Sequence, residues 1–126
     1  MMAVAEPAGI SAADIAGTWT GISMPEVGDS ILNRWTLMAS PDGAGRLVVD
    51  GSTDTVSYTT EFSGDSAIAT SAPYTDPAAP AGSPQVMWRS VGRLTDGKFV
   101  GTISFMSVAA PDSVAGRGRW EASRAP

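Results

Sequence analysis

The chain has 126 residues, 13 acidic against 8 basic side chains, a formal net charge of −5, and neither cysteine nor histidine. That length predicts one domain with one real core. The composition excludes disulfides, a thiolate nucleophile, Cys or His metal ligands and haem held by imidazole, and the acidic balance argues against nucleic acid, whose phosphates call for basic charge.

Residues 1–10 are rich in Ala, Pro and Gly and read as a flexible tail, leaving 11–126 as a single β-barrel domain. The opening Met1-Met2-Ala3-Val4-Ala5-Glu6-Pro7 has no basic stretch leading into a long apolar run. Neither a signal peptide nor a membrane-spanning helix is expected, and the cytoplasm is the expected compartment. Ser11 followed by Asp14 is a variant of the capping box and predicts one or two helical turns. No later stretch sustains a 3.6-residue period.

From Thr18 onward the pattern is strand and turn. A first strand is expected over 18–23, with Trp19 and Gly21 on one face, and a second over 33–39. Ser40-Pro41-Asp42-Gly43 is a strong turn signal. A third strand over 45–50 alternates Leu47 and Val49 against Val48 before Asp50-Gly51 turns the chain. The fourth, 55–62, alternates most cleanly: Val56, Tyr58, Thr60 and Phe62 share one face, and Thr55, Ser57, Thr59 and Glu61 the other. A fifth, over 66–71, is mostly Ala, Ser and Thr. Residues 72–85 hold four prolines, which excludes a central strand and predicts a long loop. The sixth strand, 86–94, places Val86, Trp88 and Ser90 together. Thr95-Asp96-Gly97 makes a hairpin, and the seventh, 98–106, aligns Phe99, Gly101, Ile103 and Phe105. Ala110-Pro111-Asp112 is read as a turn, and the eighth strand, 114–124, aligns Gly116, Gly118, Trp120 and Ala122.

Eight short strands joined mostly by tight turns predict an all-β, antiparallel up-and-down barrel, whose closure removes both edges. Such an interior is filled by side chains or holds one small ligand. Five glycines inside the strands, at 21, 92, 101, 116 and 118, are read as marking bends; Gly45 is not among them.

Gly17-Thr18-Trp19 at the start of the first strand, with arginines near the end of the last, resembles the calycin superfamily, which includes lipocalins, fatty-acid-binding proteins and avidins. The resemblance implies an eight-stranded calycin-like barrel plugged by Trp19, with an arginine packed over it: Arg119 or Arg124, and Arg117 as a third candidate. Residues Ser11 to Trp19 also look like the opening of an avidin. That likeness stops early: Asn33 and Gln85 are the only amide side chains, so no biotin site is carried over. Secreted lipocalins usually have a leader and disulfides; no leader is expected here, and the chain has no cysteine. Nitrobindin-like barrels need a haem-ligating His. No cofactor is expected. A second resemblance, of architecture alone, is to the small intracellular barrels that act as cofactor-free cyclases in polyketide pathways, spirotetronate Diels–Alderases among them.

The inward faces carry Trp35, Tyr58, Phe62, Trp88, Ile103, Phe105 and Trp120 as the expected cavity lining. Both long connections, 24–33 and 72–85, fall at one end of an up-and-down barrel. They frame the expected mouth, with Met24, Ile31, Leu32 and Tyr74 as its contacts. Titratable groups that could face inward are Arg34, Tyr58, Glu61 and Tyr74. Tyr58 and Tyr74 are the candidate catalytic groups, as donors to a substrate carbonyl, but neither has a base partner in the pattern. Lys98, the only lysine, sits in a turn, which argues against a Schiff-base site. No metal site is expected. The first functional expectation is binding of a small hydrophobic molecule in the barrel. The alternative is a cofactor-free cyclase or pericyclase in the same pocket, where holding reacting ends together supplies the acceleration. A solid barrel serving as an assembly partner is the third. Pairing of two barrels into a homodimer through the outer walls is open, and no membrane partner is expected.

Overall fold

The computed structural model describes residues 10–50, 55–75 and 80–125. Its elements are α1 (Ala12–Ile15), β1 (Gly17–Pro25), β2 (Asn33–Ala39), β3 (Ala44–Val49), β4 (Thr55–Ser63), β5 (Ser66–Ser71), β6 (Val86–Thr95), β7 (Lys98–Ser107) and β8 (Ala110–Arg124). The strands form a closed antiparallel barrel in sequence order. Closure is made by β1 against β8, from Trp19 opposite Arg124 to Pro25 opposite Gly118. The expected eight-stranded up-and-down barrel with one short helical turn is what the chain forms.

Strand boundaries differ in one informative place. Residues 110–112 are the start of β8 rather than a turn, and the chain reverses at Val108-Ala109. The pairing of β7 with β8 shifts register there: Met106 faces Val114 and Ser107 faces Ala110. The three residues between are bulged out of the ladder. A proline in a bulge removes no ladder hydrogen bond, so Pro111 is tolerated inside a strand.

One end is sealed from below. Ser11 donates from its backbone N–H and its hydroxyl to the Asp14 carboxylate, at 2.8 and 3.0 Å, and so starts the single turn of α1. The turn delivers Ile15, which is buried with Ile10 against Trp19, Phe99, Leu37 and Ala122. Of the expected tail, residues 1–9 lie outside the described residues. Ile10 belongs to the fold, since its N–H donates to Gly64 O in the β4–β5 turn at 3.0 Å. Trp19 is 1% exposed, and its indole N–H donates to Ile15 O at 3.0 Å. Arg124 lies over the Trp19 ring with its guanidinium 4.4 Å from the centroid. It also donates to Ala16 O at 2.8 Å and Asp14 O at 2.6 Å. Gly17 takes φ +118°, and a Cβ there would meet the Arg124 guanidinium at 3.2 Å. Only glycine suits both constraints. Among the described residues no helix is long and apolar enough to cross a membrane.

Candidate functional site

Above the plug the barrel is hollow. A cavity of about 860 Å³ runs from Ile15 at the floor to a mouth near Asn33, Thr55, Thr75 and Ala115. Its existence follows from how the large rings are seated. A Cβ on Gly21 would come within 2.3 Å of the Trp35 ring, and one on Gly45 within 2.2 Å of the Tyr58 ring. Trp120 covers both Gly92 and Gly101, each at 2.7 Å on the same measure. Each ring therefore lies against bare backbone on its own wall, rather than reaching across the axis. Gly21, Gly92 and Gly101, expected to mark bends, act with Gly45 as seats for aromatic rings.

The rings also hold one another. Trp19 meets Phe99 at 5.6 Å between centroids, Phe99 meets Trp120 edge-on at 4.8 Å, and Trp120 meets Trp35 edge-on at 5.9 Å. Tyr58 and Trp88 pair at 5.6 Å on the other side. Offset and edge-on contacts of this kind are the favoured aromatic geometries. Polar handles are satisfied locally: Trp35 Nε1 donates to Ser23 Oγ at 2.9 Å, and Trp120 Nε1 to Thr102 O at 3.2 Å. Where β5 parts from β6, Ser71 Oγ accepts from Trp88 N at 2.8 Å and replaces the missing ladder partner.

Of the expected lining, Trp35, Tyr58, Tyr74, Trp88, Ile103, Phe105 and Trp120 are brought together around the cavity. Tyr74 is placed there by a two-bond bridge to Val86, at 2.9 and 2.8 Å. Phe105 sits at the rim, 37% exposed. Four expected residues are elsewhere. Phe62 does not line the cavity and is half-buried against the core near Gly43. Met24 is buried but takes no part in the lining. Leu32 is 63% exposed and, like Ile31, takes no part in the lining. The cause is Arg119 on the outer wall: it donates to Pro25 O at 3.2 Å and to Gly28 O, and lies 3.6 Å from Asp29. These contacts hold the β1–β2 connection to the outside instead of over the mouth. In the 72–85 loop, residues 76–79 lie outside the described residues, as do 51–54 of the β3–β4 turn.

Arg34 and Glu61, weighed as inward groups, are exposed and do not line the cavity. All eight Lys and Arg side chains of the chain lie outside the lining, and no described carboxylate contributes to it. The Tyr58 hydroxyl is buried with no hydrogen-bond partner, and desolvation pushes its ionisation well above the usual value of 10.0. Sequence reasoning missed Ser23, Asn33, Thr55 and Thr75, the polar residues at the mouth, and placed Thr60 and Ser90 on the inward faces without naming them as lining. The first two were within reach, because Ser23 continues the Trp19–Gly21 alternation and Asn33 precedes Trp35 by two. Ile15, at the floor, reaches the cavity from the helical turn, which no strand pattern reveals.

The chain matches no protein-family model, no curated protein and no solved structure at a significant level. The site is therefore read from its own chemistry.

Proposed function

We propose that the protein is a calycin-like barrel that captures a small apolar molecule in its interior. The observation that carries this reading is the hollow of about 860 Å³, walled mainly by rings and aliphatic side chains, with no charged side chain among the described residues that line it. Cavities of roughly 300–1,000 Å³ with apolar walls and a few placed polar groups are the usual form of small-molecule sites. The calycin likeness is supported by Arg124 packed over Trp19, the pairing which that resemblance implies. The wall has polar and charged side chains such as Arg46, Glu61, Arg89 and Arg117 on its exposed face and apolar ones inside. Membrane-spanning barrels have the reverse polarity, which favours a barrel working in water. The cytoplasm stays the proposed compartment.

A lipophilic probe that quenches tryptophan fluorescence tests the reading. Saturable quenching is expected, weakened at least tenfold in Trp88→Ala and unchanged in Arg89→Ala on the outer wall. Equal binding by all three proteins would place the probe outside the cavity and defeat the proposal. Native mass spectrometry of protein from its own host would identify a retained molecule. Pericyclic cyclisation in the same space is the second reading. An uncharged lining favours it, because shape and a few hydroxyls are all that such a reaction asks of its catalyst. Conversion of a retained molecule to an isomer of equal mass, rather than its release unchanged, would select it.

A further inference from the structure

The cavity wall has two zones. Below the rim it is mostly apolar, Ile15, Leu37, Phe99 and the rings of Trp35 and Trp120 with the hydroxyls of Thr60 and Ser90 among them, while its upper rim holds Ser23, Asn33, Thr55, Tyr74 and Thr75. The barrel topology sets this division: Ser23 lies near the end of β1, Asn33 at the start of β2 and Thr55 at the start of β4, all at the mouth end.

Every polar side chain in the upper zone is neutral. Ser23 Oγ already accepts from Trp35 Nε1, so its own O–H is left to donate. Asn33 offers a donor and an acceptor on one amide. No lysine or arginine faces in: Arg119 is held to the β1–β2 connection on the outer wall, and Arg34 follows Asn33 onto the opposite face of β2. Residues 51–54 and 76–79 contain no Lys or Arg. The mouth-end connections add Glu26 and Asp29, and the whole chain has net charge −5.

Resting on the ligand-binding reading above, we propose that the cavity selects neutral amphipathic molecules and rejects anions. Its ligand has an apolar body of up to roughly 35 to 40 non-hydrogen atoms, the number that fills such a space at interior packing density. An uncharged oxygen group, such as a hydroxyl, carbonyl or ester, sits at the mouth among Ser23, Asn33 and Thr55. A carboxylate placed there would lose its hydration and meet no cation, and a buried unpaired charge is far costlier than a buried neutral acceptor that finds a donor.

Displacement of a bound lipophilic fluorescent probe tests this, using a long-chain alcohol, the methyl ester and the carboxylate of one chain length, each below its aggregation point at neutral pH. Alcohol and ester should displace the probe at concentrations at least tenfold below the carboxylate, and roughly a hundredfold below it if the charge finds no partner. Asn33→Arg should close most of that gap by supplying the missing cation. Equal displacement by carboxylate and alcohol in the unmodified protein would overturn the inference while leaving ligand capture standing. Probe binding that none of the three compounds reverses would also overturn it. A probe that fails to bind at all would defeat the ligand-binding reading itself.

Discussion

Arg124→Ala tests how the closed end is held. The guanidinium makes two hydrogen bonds, to Ala16 O at 2.8 Å and Asp14 O at 2.6 Å. Asp14 lies in the single turn of α1 and Ala16 caps it, so both carbonyls are among the last of the helix and have no helical partner of their own. Hydrogen bonds to a charged group contribute about 1.5–3 kcal/mol each when shielded. Arg124 is exposed, so about 1 kcal/mol each is the appropriate figure after solvent screening. Its place over the Trp19 ring, 4.4 Å from the centroid, adds about 0.5–1 kcal/mol for an exposed cation on an indole. The sum is about 2.5–3 kcal/mol. At about 2.1 cal/mol/K per residue, the unfolding entropy of a 126-residue chain is near 0.26 kcal/mol/K, so the melting temperature should fall by about 10–12 °C. Thermal melts followed by near-ultraviolet circular dichroism give the value. Arg117→Ala should move the midpoint by less than about 2 °C, since surface changes without such contacts stay within about 0.5 kcal/mol. Arg124→Lys keeps the charge and loses the two-pronged geometry, so it should recover less than half of the loss. A melting point for Arg124→Ala within about 2 °C of the parent would show that the strap does not hold the plug.

Gly101→Ala should destabilise by about 3 kcal/mol, the upper end for overpacking, because the new Cβ would lie 2.1 Å from the backbone oxygen of Val91. Gly116→Ala, with nothing within 4 Å, should be close to neutral, and equal urea midpoints for the two would contradict the seating argument. Tyr58→Phe should leave stability unchanged or raise it by about 1 kcal/mol, since it removes a buried hydroxyl that has no partner. The same variant has a pH signature. Below the ordinary phenol value of 10.0 both folded and unfolded chains keep the proton, so nothing changes. Above it the unfolded chain loses the proton while the buried phenol retains it, and stability falls by up to about 1.4 kcal/mol per pH unit. Denaturant titrations between about pH 9 and 11 should show that Tyr58→Phe removes this slope, and a slope of the same size in both proteins would assign it to other groups.

Local alternation was enough to place most of the wall. The run Val56, Tyr58, Thr60, Phe62 points inward as its period of two requires, and Trp35, Trp88, Ile103 and Trp120 follow the same rule. What alternation cannot supply is height along the barrel axis. Phe62 has the right face and still does not reach the hollow, although its cross-strand partner Ala67 lines it. Contacts distant in sequence were equally out of reach. The position of the β1–β2 connection depends on Arg119, some ninety residues away, so Met24 and Leu32 could not be excluded from the mouth by reading residues 24–33. Among three arginines, the partner of Trp19 is selected only by the register that sets Arg124 opposite it when β8 closes on β1. Pro111-Asp112 is a good turn signal that lost to a bulge, and a bulge has no local signature separating it from the turn beside it.

The hollow itself has a cause that can be argued from residue volumes. An eight-stranded barrel is narrow enough that its inward side chains can fill it, and this chain assigns its lining three tryptophans, two tyrosines and two phenylalanines in addition to the Trp19 plug. With branched residues opposite them, those rings would be pushed toward the axis and the interior would be solid. Glycine at 21, 45, 92 and 101 removes the Cβ each ring would otherwise strike, and the ring drops onto the backbone. The apolar area is then buried against the wall, where it contributes to stability, and the axis is left open. Stability and hollowness thus come from the same pairs rather than competing, which explains how a chain with no disulfide can keep a cavity of this size. The same logic separates plug from pocket. Trp19 is inward on β1 like Gly21, but Ile15, Phe99 and Arg124 crowd it from three sides, so the space closes there and opens one residue pair higher, where Gly21 lets Trp35 lie flat.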